Sequence, residues 1–175
     1  MKKLLPVLLL AFFSSGLVAQ EGFKIGLQGG IPIGDFDDQL SLVIAADVGY
    51  MWALSEVVDL GIASGFINGF TDKFDTGSEL IDLPNVQFIP AAASVRIWPT
   101  NSFTLGAEGG YALGISDGND GGAYVRPLIG YLFGTFTELN LSYTYISLDG
   151  ANWSSVTVGL LFTIPSKNRL SRFRS

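Results

Sequence analysis

Cysteine and histidine are absent from this chain of 175 residues, and charged residues make up only 15% of it, against about 25% in an average soluble domain. Without cysteine there is no disulfide framework, no thiolate metal site and no cysteine nucleophile. Without histidine, a Ser-His-Asp triad and every other mechanism that needs imidazole are excluded. The formal net charge of −6 argues against nucleic acid as a partner, because nucleic acid requires a basic surface. We therefore expect no enzyme, no metal and no cofactor.

What the chain does have begins with an export signal. Lys2 and Lys3 precede an uncharged apolar run from Leu4 to Phe13, which the small residues 14–16 end a few positions before Ala19. A basic start, a short apolar run and a small-residue cleavage zone are typical of a secretory signal peptide. The run is shorter than the roughly 20 apolar residues that a transmembrane helix needs. We therefore predict that residues 1–20 are a cleaved signal peptide.

The remaining chain is dominated by alternation with a period of two, which predicts β-strands. In residues 103–115, for example, Leu105 and Tyr111 share one face while Thr104 and Glu108 share the other. The pattern predicts eight strands, over residues 23–33, 40–52, 57–67, 87–97, 103–115, 123–133, 138–145 and 155–164. In the second of these we place Leu40 on the apolar face.

The connections between these strands alternate in length. Short turns follow the second, fourth and sixth strands, and generally longer polar loops follow the first, third, fifth and seventh, the longest over residues 68–85. Short turns at one end and long loops at the other are typical of a transmembrane β-barrel. We therefore predict an all-β fold, an eight-stranded antiparallel up-and-down transmembrane β-barrel over residues 21–164, followed by a basic periplasmic tail over residues 165–175.

The composition of the two faces indicates which one meets lipid. The apolar face is nearly free of charge, whereas the other face holds glycine, serine, threonine and alanine together with the charges. A lipocalin-like soluble barrel would turn its apolar face inward, and a membrane barrel turns it outward. Small residues suit the narrow interior of eight strands, so we expect the apolar face outside. Aromatic residues near the strand ends are interpreted as interfacial girdles, with Phe23, Trp52, Trp98, Phe103 and Phe133 toward the turns and Phe66, Tyr111 and Tyr145 toward the loops.

Two phrases carry a family resemblance: Val125-Arg126-Pro127-Leu128-Ile129-Gly130-Tyr131 and Leu139-Asn140-Leu141-Ser142-Tyr143. They resemble the outer-membrane β-barrel domain family of Bacteroidetes-type bacteria, and residues 21–164 are similar to small barrels of the OmpA/OmpX type. The resemblance implies the barrel fold and an outer-membrane location. It implies little about activity, since members are mostly structural, adhesive or uncharacterised and a fold does not fix a function.

Seven charged residues fall on predicted inward positions, three basic and four acidic: Lys24, Asp47, Asp59, Arg96, Glu108, Arg126 and Glu138. A charge in a narrow interior has to be paired or hydrated, because an unpaired one costs several kcal/mol. We expect an ion-pair network that fills the barrel, with Glu108 and Arg126 as the first pair. The alternative is a gate in which salt bridges exchange partners to pass small ions.

Most remaining acids lie in the predicted outer loops. Asp35, Asp37 and Asp38 share one six-residue loop and are a possible cation-binding loop, since carboxylates are ligands for hard cations. The ordinary alternative is a solvated acidic surface.

Our leading hypothesis is a non-enzymatic, monomeric outer-membrane barrel with a structural or surface-interaction role. The alternatives are a small gated ion pore that uses the interior charges and a soluble periplasmic lipocalin-like binder. The expected partners are outer-membrane lipid and lipopolysaccharide. The end of the last strand, with Gly159, Phe162 and Ile164, resembles the signal that the barrel assembly machinery reads, which makes that machinery a further expected partner.

Overall fold

The computed structural model describes residues 21–36, 40–71, 74–75, 80–81, 85–116 and 118–166, with the backbone alone for 74–75 and 80–81. It contains ten strands: β1 (Gly22–Ile33), β2 (Leu40–Ala53), β3 (Val58–Thr71), β4 (Phe74–Asp75), β5 (Leu80–Ile81), β6 (Val86–Ile97), β7 (Phe103–Gly114), β8 (Gly122–Leu132), β9 (Thr137–Ser147) and β10 (Asn152–Pro165). No helix among these residues is long and apolar enough to cross a membrane. The predicted signal peptide and residues 167–175 of the predicted tail lie outside the described residues.

Eight strands form one closed antiparallel barrel in the order β1-β10-β9-β8-β7-β6-β3-β2, and β4 and β5 pair as a separate ribbon. The barrel closes where β1 pairs β10, from Gly22 opposite Pro165 to Ile33 opposite Ser154. Closure leaves the barrel with no unpaired edge. The predicted eight-stranded up-and-down topology is confirmed. We call the end with the connections after β2, β6 and β8 the short-turn end and the opposite end the loop end.

Large apolar side chains cover the outside of the barrel. Leu27 is 68% exposed, Ile164 58% and Val158 51%, while the inward Lys24 and Thr157 are each at most 4% exposed. Exposed apolar side chains on every barrel strand require an apolar surrounding rather than water. The arrangement is that of a transmembrane barrel, so the inverted, lipocalin-like arrangement of the faces is wrong.

Strand lengths differ from the prediction at the loop end. β3 continues to Thr71, so Asn68 and Phe70 belong to a strand and not to the long loop in which we expected them. β10 already begins at Asn152. The period-two pattern weakens here because inward positions near the loop end carry large apolar residues in place of small polar ones.

Two side chains lie on the opposite face from the predicted one. Leu40 is 2% exposed, because a register shift between Leu40 and Leu42 inserts an extra residue and reverses the alternation at this end of β2. Trp98, predicted for the outer girdle, is 1% exposed and donates a hydrogen bond from Nε1 to Asp59 Oδ2 at 2.7 Å. Trp98 has the same parity as the buried Ser94 and Arg96, so the alternation of β6 itself places it inward, and its assignment to the outer girdle was wrong.

Candidate functional site: the interior of the barrel

The structure places all seven predicted interior charges on inward positions. Six of these residues are at most 8% exposed, and the side chain of Asp47 is 14% exposed. Their contacts divide them into two groups. We call Asp47, Glu108 and Arg126 the central group, and Lys24, Asp59, Arg96 and Glu138 the lower group, which lies nearer the short-turn end.

Arg126 holds the central group together. Its Nη1 and Nη2 donate to Asp47 Oδ1 and Oδ2 at 2.9 and 3.0 Å, and two parallel bonds of this kind fix both side chains. Asp47 is on β2 and Arg126 on β8, which are four strands apart in either direction around the barrel. The ion pair therefore spans the full diameter of the interior.

Glu108 is the second acid of the central group. It lies directly opposite Arg126 in the β7–β8 register, and its Oε2 is 3.6 Å from Arg126 Nη1. The same oxygen accepts a hydrogen bond from the Tyr124 hydroxyl at 3.0 Å. The expected contact of Glu108 with Arg126 is present in the structure, but Asp47 is the closer acid.

Neutral polar side chains link the central group to the barrel wall. Gln28 donates a hydrogen bond from Nε2 to Asp47 Oδ2. Its Oε1 accepts hydrogen bonds from Ser142 Oγ at 3.0 Å and from Thr157 Oγ1 at 2.7 Å. These contacts connect β1, β2, β9 and β10 around the interior.

The lower group contains a second ion pair that crosses the interior. Arg96 Nη1 contacts Glu138 Oε1 at 2.5 Å, although β6 and β9 are three strands apart. Lys24 Nζ lies 3.9 Å from Glu138 Oε2 and donates to Thr163 Oγ1 at 2.9 Å. Together with the bond from Trp98 to Asp59, these contacts fill the short-turn end with polar side chains. Arg96 contacts Glu138 although Glu108 lies on β7, the strand that pairs with the strand of Arg96.

An apolar cluster fills the loop end of the interior. Trp153 on β10 is 0% exposed, and its ring lies 5.2 Å from that of Phe88 and 5.8 Å from that of Phe36. It reaches across to β3, where a Cβ added to Gly69 would overlap Cη2 and lie 2.9 Å from Cζ3 of the indole. The buried members of this apolar cluster are Leu40, Val43, Ala45, Ile67, Phe88, Ala112, Tyr124, Ile146 and Trp153.

Our reading of the sequence missed this cluster. The detectable signal is that its members occupy inward positions near the loop ends of several strands, as Ile67, Phe88 and Ile146 do. An apolar residue on the otherwise polar face at one end of several strands predicts an apolar layer across a barrel. We had expected small and polar residues along the whole inward face.

The acidic loop residues are placed only in part. Asp35 Oδ2 accepts a hydrogen bond from the backbone N–H of Asn152 at 2.9 Å, which ties the first loop to the start of β10. Asp37 and Asp38 lie outside the described residues. Among the residues the structure describes, no group of three or more acidic side chains could hold a metal ion.

Solved structures with the same fold include outer-membrane proteins. The crystal structure of Ail, the attachment invasion locus protein of Yersinia pestis, matches with a TM-score of 0.57 and 11% identity, over 84% of this chain and 99% of Ail. The chain has a transmembrane β-barrel fold. Neisserial surface protein A matches this barrel with a TM-score of 0.53 and 15% identity, over 83% and 99% of the two chains. A de novo designed transmembrane β-barrel matches with a TM-score of 0.52 and 10% identity, over 83% and 98%.

These likenesses establish the fold of the barrel alone. No protein-family model matches the chain, and no curated protein matches it. The finer resemblance to Bacteroidetes-type and OmpA/OmpX barrels stays a prediction.

Proposed function

We propose that this protein is a non-enzymatic barrel of the outer membrane whose interior is closed and whose loops face outward in a structural or surface-interaction role. The observation that carries the proposal is that side chains cross the interior at three levels. The lower group and the central group each span it with an ion pair, and Trp153 reaches from β10 to Gly69 on β3. A small ion would have to break buried ion pairs to pass, at a cost of about 3–5 kcal/mol each.

The loop end supports a surface-interaction role. A concavity of about 280 Å³ opens there, with Phe36 and Leu148 among its apolar lining and Asp120 and Asp149 among its polar lining. The outward apolar face would contact outer-membrane lipid, including lipopolysaccharide, and a monomer suffices because the barrel closes on itself. Phe162 and Ile164 are exposed on the outside of the barrel, where the barrel assembly machinery would contact them. Gly159, the third residue of the proposed signal, faces inward.

Two measurements test this function. Cell fractionation followed by electrophoresis with and without boiling should find the protein in the outer membrane, with a mobility that changes on boiling. In a planar bilayer the purified protein should give no conductance steps. Steps that change in Glu108→Gln would overturn the closed barrel in favour of the alternative, a small gated ion pore. Recovery of the unboiled protein in the soluble fraction would overturn the membrane location.

A further inference from the structure

The concavity of about 280 Å³ at the loop end has an apolar floor beneath a charged rim. Phe36, Val86 and Leu148 form part of its lining, and all three pack against the buried apolar cluster. The acids Asp120 and Asp149 line the same concavity, and both are exposed. An occupant therefore meets apolar side chains on the floor and carboxylates at the rim.

Hydrogen bonds hold the two connections that carry these acids. Asn119, the neighbour of Asp120, donates from Nδ2 to the carbonyl oxygen of Gln87 at 3.2 Å, which ties the connection after β7 to β6. The turn that contains Asp149 is closed by a backbone hydrogen bond of 3.1 Å donated by Leu148. Because fixed walls reduce the entropy that binding costs, the concavity has the character of a preformed site.

Neither carboxylate is balanced by a cation in the described part of the chain. The basic residues described there all lie buried in the interior: Lys24, Arg96 and Arg126. In the sequence, Lys73 is the only basic residue in the four connections of the loop end, and each of these connections contains at least one acid. This end of the barrel therefore attracts a cationic partner and repels an anionic one, such as a lipid phosphate.

The apolar floor does not suit a metal ion. Calcium takes 6–8 oxygen ligands and magnesium requires near-octahedral coordination by oxygen, whereas the side chains of Phe36, Val86 and Leu148 offer no oxygen. An organic cation fits both parts of the lining, with its charge at the rim and its apolar part on the floor. An arginine side chain has this form, because its alkyl stem covers apolar surface and its weakly hydrated guanidinium pairs with carboxylates and stacks on aromatic rings.

The size of the concavity indicates a single side chain as its occupant. Pockets that enclose a drug-sized ligand usually have volumes of about 300–1,000 Å³, and the volume of about 280 Å³ lies just below that range. The acidic character is shared by all four connections, so it is not confined to the lining of the concavity. A basic protein surface uses this wider charge, whereas one small molecule does not.

We propose that the concavity binds an arginine side chain presented by a basic segment of a partner protein. The guanidinium pairs with Asp120 and Asp149, and the alkyl stem lies against Phe36 and Leu148. The inference deepens the proposed surface-interaction role and rests on it only in requiring that the loop end faces outward. Its failure would leave the closed membrane barrel standing, because conductance and fractionation do not involve the concavity.

The test follows the backbone amide resonances of the full mature chain, isotopically labelled and folded in zwitterionic detergent micelles. The probe is a short peptide with blocked ends, one central arginine, and glycine and serine elsewhere. The matched control peptide carries citrulline, whose neutral urea group has nearly the shape of guanidinium. We expect the arginine peptide to shift the resonances of Asp120, Leu148 and Asp149 saturably. The citrulline peptide should bind about tenfold more weakly, since each exposed ion pair contributes up to about fivefold.

Variants locate the effect at the concavity. Asp120→Asn and Asp149→Asn should each weaken binding of the arginine peptide by about threefold, and the double variant should bind the two peptides equally. Leu148→Ser removes part of the apolar floor and should weaken the binding of both peptides alike. Glu56→Gln, which changes an exposed acid of the short-turn end, should behave like the parent chain. The variants change side chains in connections, so they should retain the barrel, and the unshifted remainder of the spectrum checks this.

Equal affinity of the parent chain for the arginine and citrulline peptides would overturn the proposal. A preference for arginine that survives in the double variant would overturn it as well, because the charge would then be recognised elsewhere. Methylguanidinium is the third probe and should bind more weakly than the arginine peptide, since it lacks the alkyl stem. If it binds as tightly as the peptide, the assignment to a partner protein is wrong and a small organic cation takes its place.

Discussion

The contact between Gly69 and Trp153 predicts a strongly non-additive pair of substitutions. Trp153 is fully buried, so Trp153→Ala should lower the free energy of unfolding by about 3–5 kcal/mol, as large-to-small changes of buried aromatic residues do. The methyl group of Gly69→Ala would overlap the indole and lie 3.3 Å from Leu40 Cδ1 on another side. Overpacking of this kind typically costs about 1–3 kcal/mol.

In the double variant the methyl group enters space that the indole has left. Gly69→Ala should then cost nothing or stabilise the barrel slightly, so the coupling free energy should equal most of its cost in the parent chain, about 1–3 kcal/mol. The assay is urea unfolding in detergent micelles, followed by circular dichroism. Gly29→Ala is the matched control, because a Cβ at Gly29 meets no atom within 4 Å. Additive costs, or equal costs for Gly69→Ala and Gly29→Ala, would refute the placement of Trp153 across the interior.

Two further predictions concern the lipid face and the central group. Val158→Arg, at an outward position near the middle of β10, should destabilise the barrel in bilayers by about 2–4 kcal/mol. Ile164→Arg, at an outward position near the short-turn end, should cost only about 0–1 kcal/mol. Equal costs at both depths would contradict the predicted membrane position. Arg126→Met leaves two buried carboxylates without their cation and should cost about 3–5 kcal/mol in urea unfolding. Combining it with Asp47→Asn should recover part of that loss, and a double variant less stable than Arg126→Met alone would contradict the ion pair.

Much of this fold follows from the period of two, for a physical reason. Successive side chains of a strand point to opposite faces, and in a barrel one face is confined while the other meets lipid. Once Glu108 and Arg126 are assigned to the confined face, the same parity along their strands places the other inward residues. The barrel order follows because short turns can only join neighbouring antiparallel strands.

The parity argument fails where the chain leaves the regular ladder. The register shift beside Leu40 reverses the expected orientation of that residue, and no local residue pattern announces it. Trp98 is a different case, because it continues the inward parity of Arg96 and was assigned to the outer girdle only as an aromatic residue near a strand end. The long loop was predicted to begin at residue 68, but β3 continues to Thr71.

The partners of the interior charges could be predicted only between adjacent strands. Glu108 and Arg126 are register neighbours, and such a pair can be anticipated from consecutive strands of opposite charge. The contact from Asp47 to Arg126 joins opposite walls, and its existence depends on the stagger and tilt of the whole barrel. Those quantities are set by all eight ladders together and are not encoded in one stretch of sequence.

The central claim is that the apolar face meets lipid while the charged face is enclosed, and spin-label accessibility along β10 tests it most directly. Because the chain contains no cysteine, single cysteines at positions 155–160 can each carry one nitroxide label in liposomes. The account predicts high accessibility to oxygen at 156, 158 and 160 and low accessibility at 155, 157 and 159, with little access for a water-soluble nickel complex at the lipid-facing positions. An oxygen profile of the opposite phase, or one without alternation, would contradict it.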